Sequence, residues 1–225
     1  MKSFERYYRR SFELLGFPLK RSDGTALGRI EAAERRLGVC LPEPLRQYYL
    51  AAGKESRFNH AHNRLIDLSE LEVDSKRLIF LEENQCVVVW GIDLKPTGGS
   101  DPKVLQGVTG DEIRWYREHE HCSIFLNVML HWQAAFGGGM PFTASAPAPP
   151  FSRARLKSHW TCVGESNRMK AYSRPGQVVC LLKWKDGEDA ALWRVFAGAA
   201  DRRLFDAIPS ELRIEWDGSV MERAK

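Results

Sequence analysis

The chain has 225 residues, 44% of them hydrophobic and 28% charged, with a formal net charge of +4. These values describe a globular protein with a sizeable core and exclude wholesale disorder. No apolar run nears the ~20 residues needed to span a bilayer.

The predicted elements begin with a helix over 4–16, where Phe4, Tyr7, Tyr8, Phe12 and Leu15 recur at helical spacing and Gly16 ends it. Ser22-Asp23-Gly24 is a turn. A second helix over 26–37 places Ile30, Ala33 and Leu37 on one side, and Gly38 suits its C′ position. Leu41-Pro42-Glu43-Pro44 opens a third helix, since proline is tolerated in a first turn, and Leu45, Tyr48, Tyr49 and Ala52 line its buried side. The period then changes. Leu78–Leu81 and Cys86–Trp90 read as two strands joined by an acidic tip, Glu82-Glu83-Asn84-Gln85. The second strand is apolar on both faces, which places it centrally in a sheet, and Gly91-Ile92-Asp93 ends it.

Residues 95–100 read as a loop, and Val104, Leu105 and Val108 as a shorter strand. A helix over 121–136 carries Ile124, Phe125, Val128, Met129, Trp132 and Phe136 on its periodic positions and stops at Gly137-Gly138-Gly139. The Pro/Ala-rich stretch that follows is predicted to be a linker. Val178–Trp184 and Ala191–Phe196 then flank a hairpin turn at Asp186-Gly187. Asp201 is expected to cap a short helix with Leu204, Phe205 and Ile208, and alternating Leu212, Ile214 and Trp216 predict a last strand.

The expected fold is α+β: a central antiparallel sheet with helices mostly on one side, plus a β-rich C-terminal extension. The expected division is a core over 1–140, a linker over 141–159 and the extension over 160–225, which either abuts the core or completes it as one domain.

Motifs for chemistry fail. Gly164-Glu165-Ser166-Asn167-Arg168 lacks the second glycine of a nucleophile elbow. Gly137-Gly138-Gly139 follows a helix instead of opening one, so it is no phosphate loop. His60 with His62, and His119 with His121, lack the further ligands that zinc needs. The carboxylate pairs Glu82-Glu83 and Asp111-Glu112 are adjacent in sequence, which on a strand sends them to opposite faces. Trp90, Trp132, Trp184 and Trp193 lie in apolar periodic segments and are assigned to the core. The five cysteines, Cys40, Cys86, Cys122, Cys162 and Cys180, are read as buried reduced thiols. The amino-terminal segment lacks the apolar stretch of a secretion signal, so the cytoplasm is the expected compartment.

Charge is unevenly spread. Residues 1–57 carry 12 Lys+Arg and 7 Asp+Glu, residues 58–140 carry 7 and 12, and residues 141–225 carry 14 and 10. The acidic middle argues against a nucleic-acid face there, and reads either as scatter on a solvated surface or as a surface for a basic partner.

Ile30-Glu31-x-x-Glu34-x-x-Leu37-Gly38-x-x-Leu41-Pro42, followed by Leu45-Arg46-x-Tyr48-Tyr49, resembles the opening of the SUKH superfamily. That superfamily includes fungal cell-wall-assembly regulators and many bacterial proteins. Phe80-x-Glu82-Glu83-Asn84-Gln85-x-Val87-x-x-Trp90-Gly91-Ile92 resembles its central hairpin. Asp101-Pro102-x-Val104 and the helix from Ser123 to Trp132-Gln133-Ala134 follow in the family's order. The match covers 27–136 and leaves 141–225 outside it; Ala52-Gly53 stands where members often have Asn-Gly.

The resemblance implies a non-enzymatic binding protein, an immunity protein that neutralises a cognate bacterial toxin by direct contact. A regulatory or scaffold module for protein interactions is the second reading. The resemblance assigns no catalytic, cofactor-binding or metal-binding residue. The implied partner is a protein, a basic toxin domain, with neither nucleic acid nor membrane. Glu82 and Glu83 at the hairpin tip are the candidate contact residues.

Overall fold

A computed structural model describes residues 4–94, 100–166, 168–184, 192–218 and 220–222. Helices α1 (Phe4–Leu14), α2 (Leu27–Leu37), α3 (Glu43–Ala52) and α4 (Ser56–Asn59) come first. Strands β1 (Arg64–Leu65), β2 (Glu72–Asp74), β3 (Arg77–Glu82), β4 (Val88–Asp93), β5 (Val104–Val108) and β6 (Arg114–His119) follow. Then come α5 (Cys122–Ala135), β7 (Phe142–Pro147), α6 (Pro150–His159), β8 (Thr161–Ser166), β9 (Met169–Arg174) and β10 (Gln177–Trp184). The described chain closes with β11 (Leu192–Ala199), α7 (Arg202–Leu212) and β12 (Met221–Glu222).

The fold is α+β, with two antiparallel sheets of six strands. The first runs β1-β3-β4-β5-β6 with β2 beside β3; the second runs β12-β7-β11-β10-β9-β8. The chain forms two compact units, Met1–Arg9 with Leu19–Leu126, and Arg10–Pro18 with Asn127–Lys225. The divide falls inside α1 and α5.

In the first unit, the α2–α3 hairpin is held by the residues that carry the family likeness. Gly38 turns the chain at φ 68°, a left-handed conformation that costs glycine little, and its N–H donates to the Glu34 carbonyl. The Glu34 carboxylate accepts from the Leu41 N–H at 3.0 Å and lies 3.4 Å from Arg46 Nε. Tyr49 donates its hydroxyl to the Ile66 carbonyl at 2.6 Å, and Tyr48 donates to Asn59 Oδ1 at 2.9 Å. Both phenols are fully buried, which raises their pKa values. Strand β4 is central, and Val89, Trp90, Gly91 and Ile92 are all buried. It runs from Val88 through Asp93.

A side-chain cap for the start of α5 comes from a distant part of the chain. Asp101 supplies it, its carboxylate accepting from the Ser123 N–H at 2.9 Å and the Ser123 hydroxyl at 2.6 Å. The Cys122 N–H donates to the Pro102 carbonyl at 2.8 Å. Asp101→Ala is expected to cost about 1–2 kcal/mol, the usual loss for a helix cap. Urea melts check this, and an unchanged midpoint would mean that solvent satisfies the first turn equally well.

In the second unit, one face of the sheet packs Val195, Ala197 and Ala199 with Leu156 of α6 and Phe205, Ile208 and Leu212 of α7. On the other face Gly198 lets α5 approach, since a Cβ there would lie 2.9 Å from the Ala134 carbonyl oxygen. Asp201 caps α7 as expected, accepting from the Leu204 N–H at 2.8 Å.

The stretch 141–159, expected as a linker, is instead β7 followed by α6. Phe142, Ala144, Ala146 and Ala148 alternate toward the core, a strand period that small residues had disguised. The prolines avoid the interiors: Pro147 ends the strand, and Pro149 and Pro150 sit at the cap and first turn of α6. The C-terminal region is accordingly no appendage, but most of a second sheet-based unit that also takes in residues 10–18 and the end of α5.

The strand expected over Leu212–Trp216 is absent. Leu212 ends α7, and Arg213 turns left-handed at φ 51°. Leu212, Ile214 and Trp216 still point to the core, so their alternation reports packing without ladder pairing. Strands β10 and β11 pair in antiparallel register from Gln177↔Ala199 to Trp184↔Leu192. The turn expected at Asp186-Gly187 and residues 95–99 of the expected loop lie outside the described residues.

Candidate binding surface

Glu82 and Glu83 are not the free charges that a projecting tip implies. Glu82 closes β3 opposite β1, and its carboxylate accepts from Arg64 Nε at 2.6 Å. Arg64 also pairs with Glu70, and the two carboxylates hold its guanidinium above its ordinary pKa. Glu83 folds back to accept from the Gln85 N–H at 2.8 Å, closing the turn. Both are half-buried, and the exposed tip consists of Asn84, Gln85, Cys86 and Val87. The charge argument weakens as well. The first unit, which joins the basic start of the chain to its acidic middle, holds 18 Lys+Arg and 18 Asp+Glu. Residues of opposite sign meet within it, as in Arg29 and Asp67 at 3.0 Å.

The histidine pairs have local partners. The His121 N–H donates to His119 Nδ1 at 2.9 Å, and Asn84 Nδ2 lies 3.2 Å from His62 Nδ1. Among the described residues no group of three or more His, Cys, Asp or Glu could hold a metal ion. Cys122 and Cys180 are buried, and burial raises both thiol pKa values; Cys40, Cys86 and Cys162 are exposed, against expectation. Cys86 lies in the β3–β4 turn and Cys162 on the edge strand β8, both open to solvent.

A concave surface lies in the second unit. Two concavities of about 610 and 590 Å³ share Pro147, Leu192 and Trp193. The first is lined by Trp132 of α5, by Phe136 just after it, and by Leu182 and Phe196 of the sheet. Trp132 and Phe136, one helical turn apart, stack with centroids 4.5 Å apart. Phe196 packs edge-on to both, at 5.1 and 5.2 Å. The three rings are half-exposed, and Leu192 is 54% exposed. This corrects the assignment of Trp132 and Trp193 to the closed core.

The second concavity is bordered by arginines. Arg153 of α6 lies over the Trp193 ring at 5.4 Å, and Arg213 lies over Phe151 at 4.2 Å. Arg153 Nε is buried without a hydrogen-bond partner among the described residues. Arg194, in contrast, is engaged, pairing with Asp217 and donating to Ser145 Oγ at 3.1 Å. Glu215 is the remaining lining carboxylate, and it is exposed. Exposed apolar surface gathered into a concavity with a few polar groups is the usual form of a binding site.

The sequence carried a signal for this surface. Trp132 and Phe136 add a second aromatic stripe to a helix whose buried positions were already filled by Phe125, Val128 and Met129. Arg153 on α6 and Trp193 on β11 are far apart in the chain, so their meeting required the tertiary fold.

Compared with protein-family models, with characterised proteins and with solved structures, the chain has no match in any of the three. Among the described residues no helix is long and apolar enough to cross a membrane.

Proposed function

We propose that this chain is a non-enzymatic protein-binding module of the toxin-neutralising kind that the SUKH resemblance implies. The observation that carries the reading is the open aromatic concavity of Trp132, Phe136 and Phe196, with Leu192 at its rim. Clustered, partly desolvated aromatic side chains beside arginine are the composition of interface anchors. The residues behind the resemblance have structural duties that fit a scaffold: Glu34 and Gly38 set the helical hairpin, Asp101 caps α5, and Trp90 fills the centre of the first sheet. A binding module of this kind acts by covering its partner's working surface, with affinity concentrated in a few anchors.

The test is co-expression with the toxic C-terminal module of a secreted protein encoded beside this gene. Cells are expected to survive with the wild-type chain and to die when it carries Leu192→Asp. Killing that wild-type protein leaves undiminished would overturn the neutralising role.

A further inference from the structure

We infer that the two adjoining concavities of the second unit form one site, built for an acidic protein segment that carries a large aromatic side chain. The inference rests on the binding reading above and replaces the basic partner expected from the sequence with an acidic contacting segment.

Size comes first. Each concavity has the volume of a single ligand pocket, and together they continue across the ridge of Pro147, Leu192 and Trp193. An extended segment can set one side chain on each side of such a ridge, whereas one small molecule fills a single chamber. The aromatic chamber suits a ring, because Phe196 presents its edge to Trp132 and Phe136 and leaves all three half-exposed.

Charge comes second. Arg153 and Arg213 border the other chamber from the first turn of α6 and the residue after α7. Each guanidinium rests on an aromatic ring, and neither has a carboxylate within ion-pair distance among the described residues. Stacking on a ring leaves the N–H edges of a guanidinium free for bidentate contact with a carboxylate. Arg194, already neutralised by Asp217, adds no demand for an anion, and Glu215 offsets part of the positive charge. The second unit as a whole holds 15 Lys+Arg and 11 Asp+Glu, which steers an acidic segment toward it.

The experiment uses the full chain and three fluorescein-labelled nonapeptides: a tryptophan flanked by glutamates, the same tryptophan flanked by lysines, and the glutamate peptide with serine for tryptophan. Anisotropy titrations at low and physiological salt read the affinities. The acidic tryptophan peptide is expected to bind at least tenfold tighter than either control, and to weaken with salt. The double change Arg153→Gln, Arg213→Gln is expected to lower that affinity at least tenfold. Leu192→Asp, at an exposed position, is expected to do the same with an unchanged melting temperature.

Equal affinity for the acidic and basic peptides, absence of binding to the acidic tryptophan peptide, or an unaltered affinity in both variants would overturn the site. Peptide failure alongside rescue from the toxin would remove this site and leave the neutralising role. Peptide binding without rescue would do the reverse.

Discussion

Replacing Trp90 by alanine is expected to destabilise the first unit by about 3–5 kcal/mol, at the upper end for a large-to-small change in a core. Trp90 is 8% exposed at the centre of β4, paired in register with Leu81 on one side and Gln106 on the other. Its ring lies 6.0 Å from that of Phe125, which also meets Phe80 edge-on at the same distance. Truncation leaves a void between a strand and a helix that are both fixed by other contacts, so collapse is limited. The indole N–H has no hydrogen-bond partner among the described residues. Trp90→Phe therefore removes an unsatisfied donor along with some volume, and is expected to lose less than half as much as Trp90→Ala. Denaturant melts of the two variants check both statements. A loss below ~1 kcal/mol for the alanine variant would mean that the strand's centre is not where the core is.

The second large effect is a dependence of stability on pH, carried by His131. This residue of α5 is fully buried, and its Nδ1 lies 2.7 Å from the Asn127 carbonyl, to which it donates. Its Nε2 has no partner among the described residues, so nothing there receives the proton that would charge the ring. Burial pushes its pKa down to about 4, against an upward pull from the bond to the Asn127 carbonyl.

A histidine whose folded pKa lies below its unfolded value is stabilising in its neutral form. The contribution is complete above the unfolded value near 6.5, is lost progressively as pH falls toward the folded value, and is gone below it. A shift of that size corresponds to about 3 kcal/mol between pH 7 and pH 4. Glu55 works against this slope, because burial raises its carboxyl pKa and its protonation accompanies folding. The clean comparison is therefore wild type against His131→Gln, measured by urea unfolding at several pH values. The two stability curves are expected to converge by about 3 kcal/mol on going from pH 7 to pH 4. Curves that stay parallel would show that the ring accepts its proton without loss.

Much of the first unit was legible in the sequence because its signals are local. Gly38, Pro42 and Pro44 mark the helical hairpin in the terms that backbone geometry requires, and the doubly apolar run ending at Trp90 located the central strand. The short strands β1 and β2 escaped notice because two or three residues have no period to read. Edge strand β6 escaped for another reason: Arg114-Trp115-Tyr116-Arg117-Glu118-His119 is mostly polar, as an exposed edge is.

The second unit was less legible. Its β7 is made of small residues bounded by prolines, a composition shared with linkers, and only burial against α7 reveals it as a strand. The candidate surface depended on that same misread region. Pro147 ends β7 and Arg153 lies on α6, so a reading that treats 141–159 as linker cannot bring either to Trp193. Glu82, in turn, reads as a projecting charge until Arg64 is placed beside it by a pairing of β1 with β3.

Under the proposed function, the partner docks on the concave surface of the second unit and not on the β3–β4 tip. Hydrogen–deuterium exchange of the full chain, with and without the toxic module encoded beside its gene, separates the two surfaces. Slowed exchange on binding is expected at residues 145–149 and 192–196, with no change at residues 83–88. Slowed exchange confined to 83–88 would contradict it.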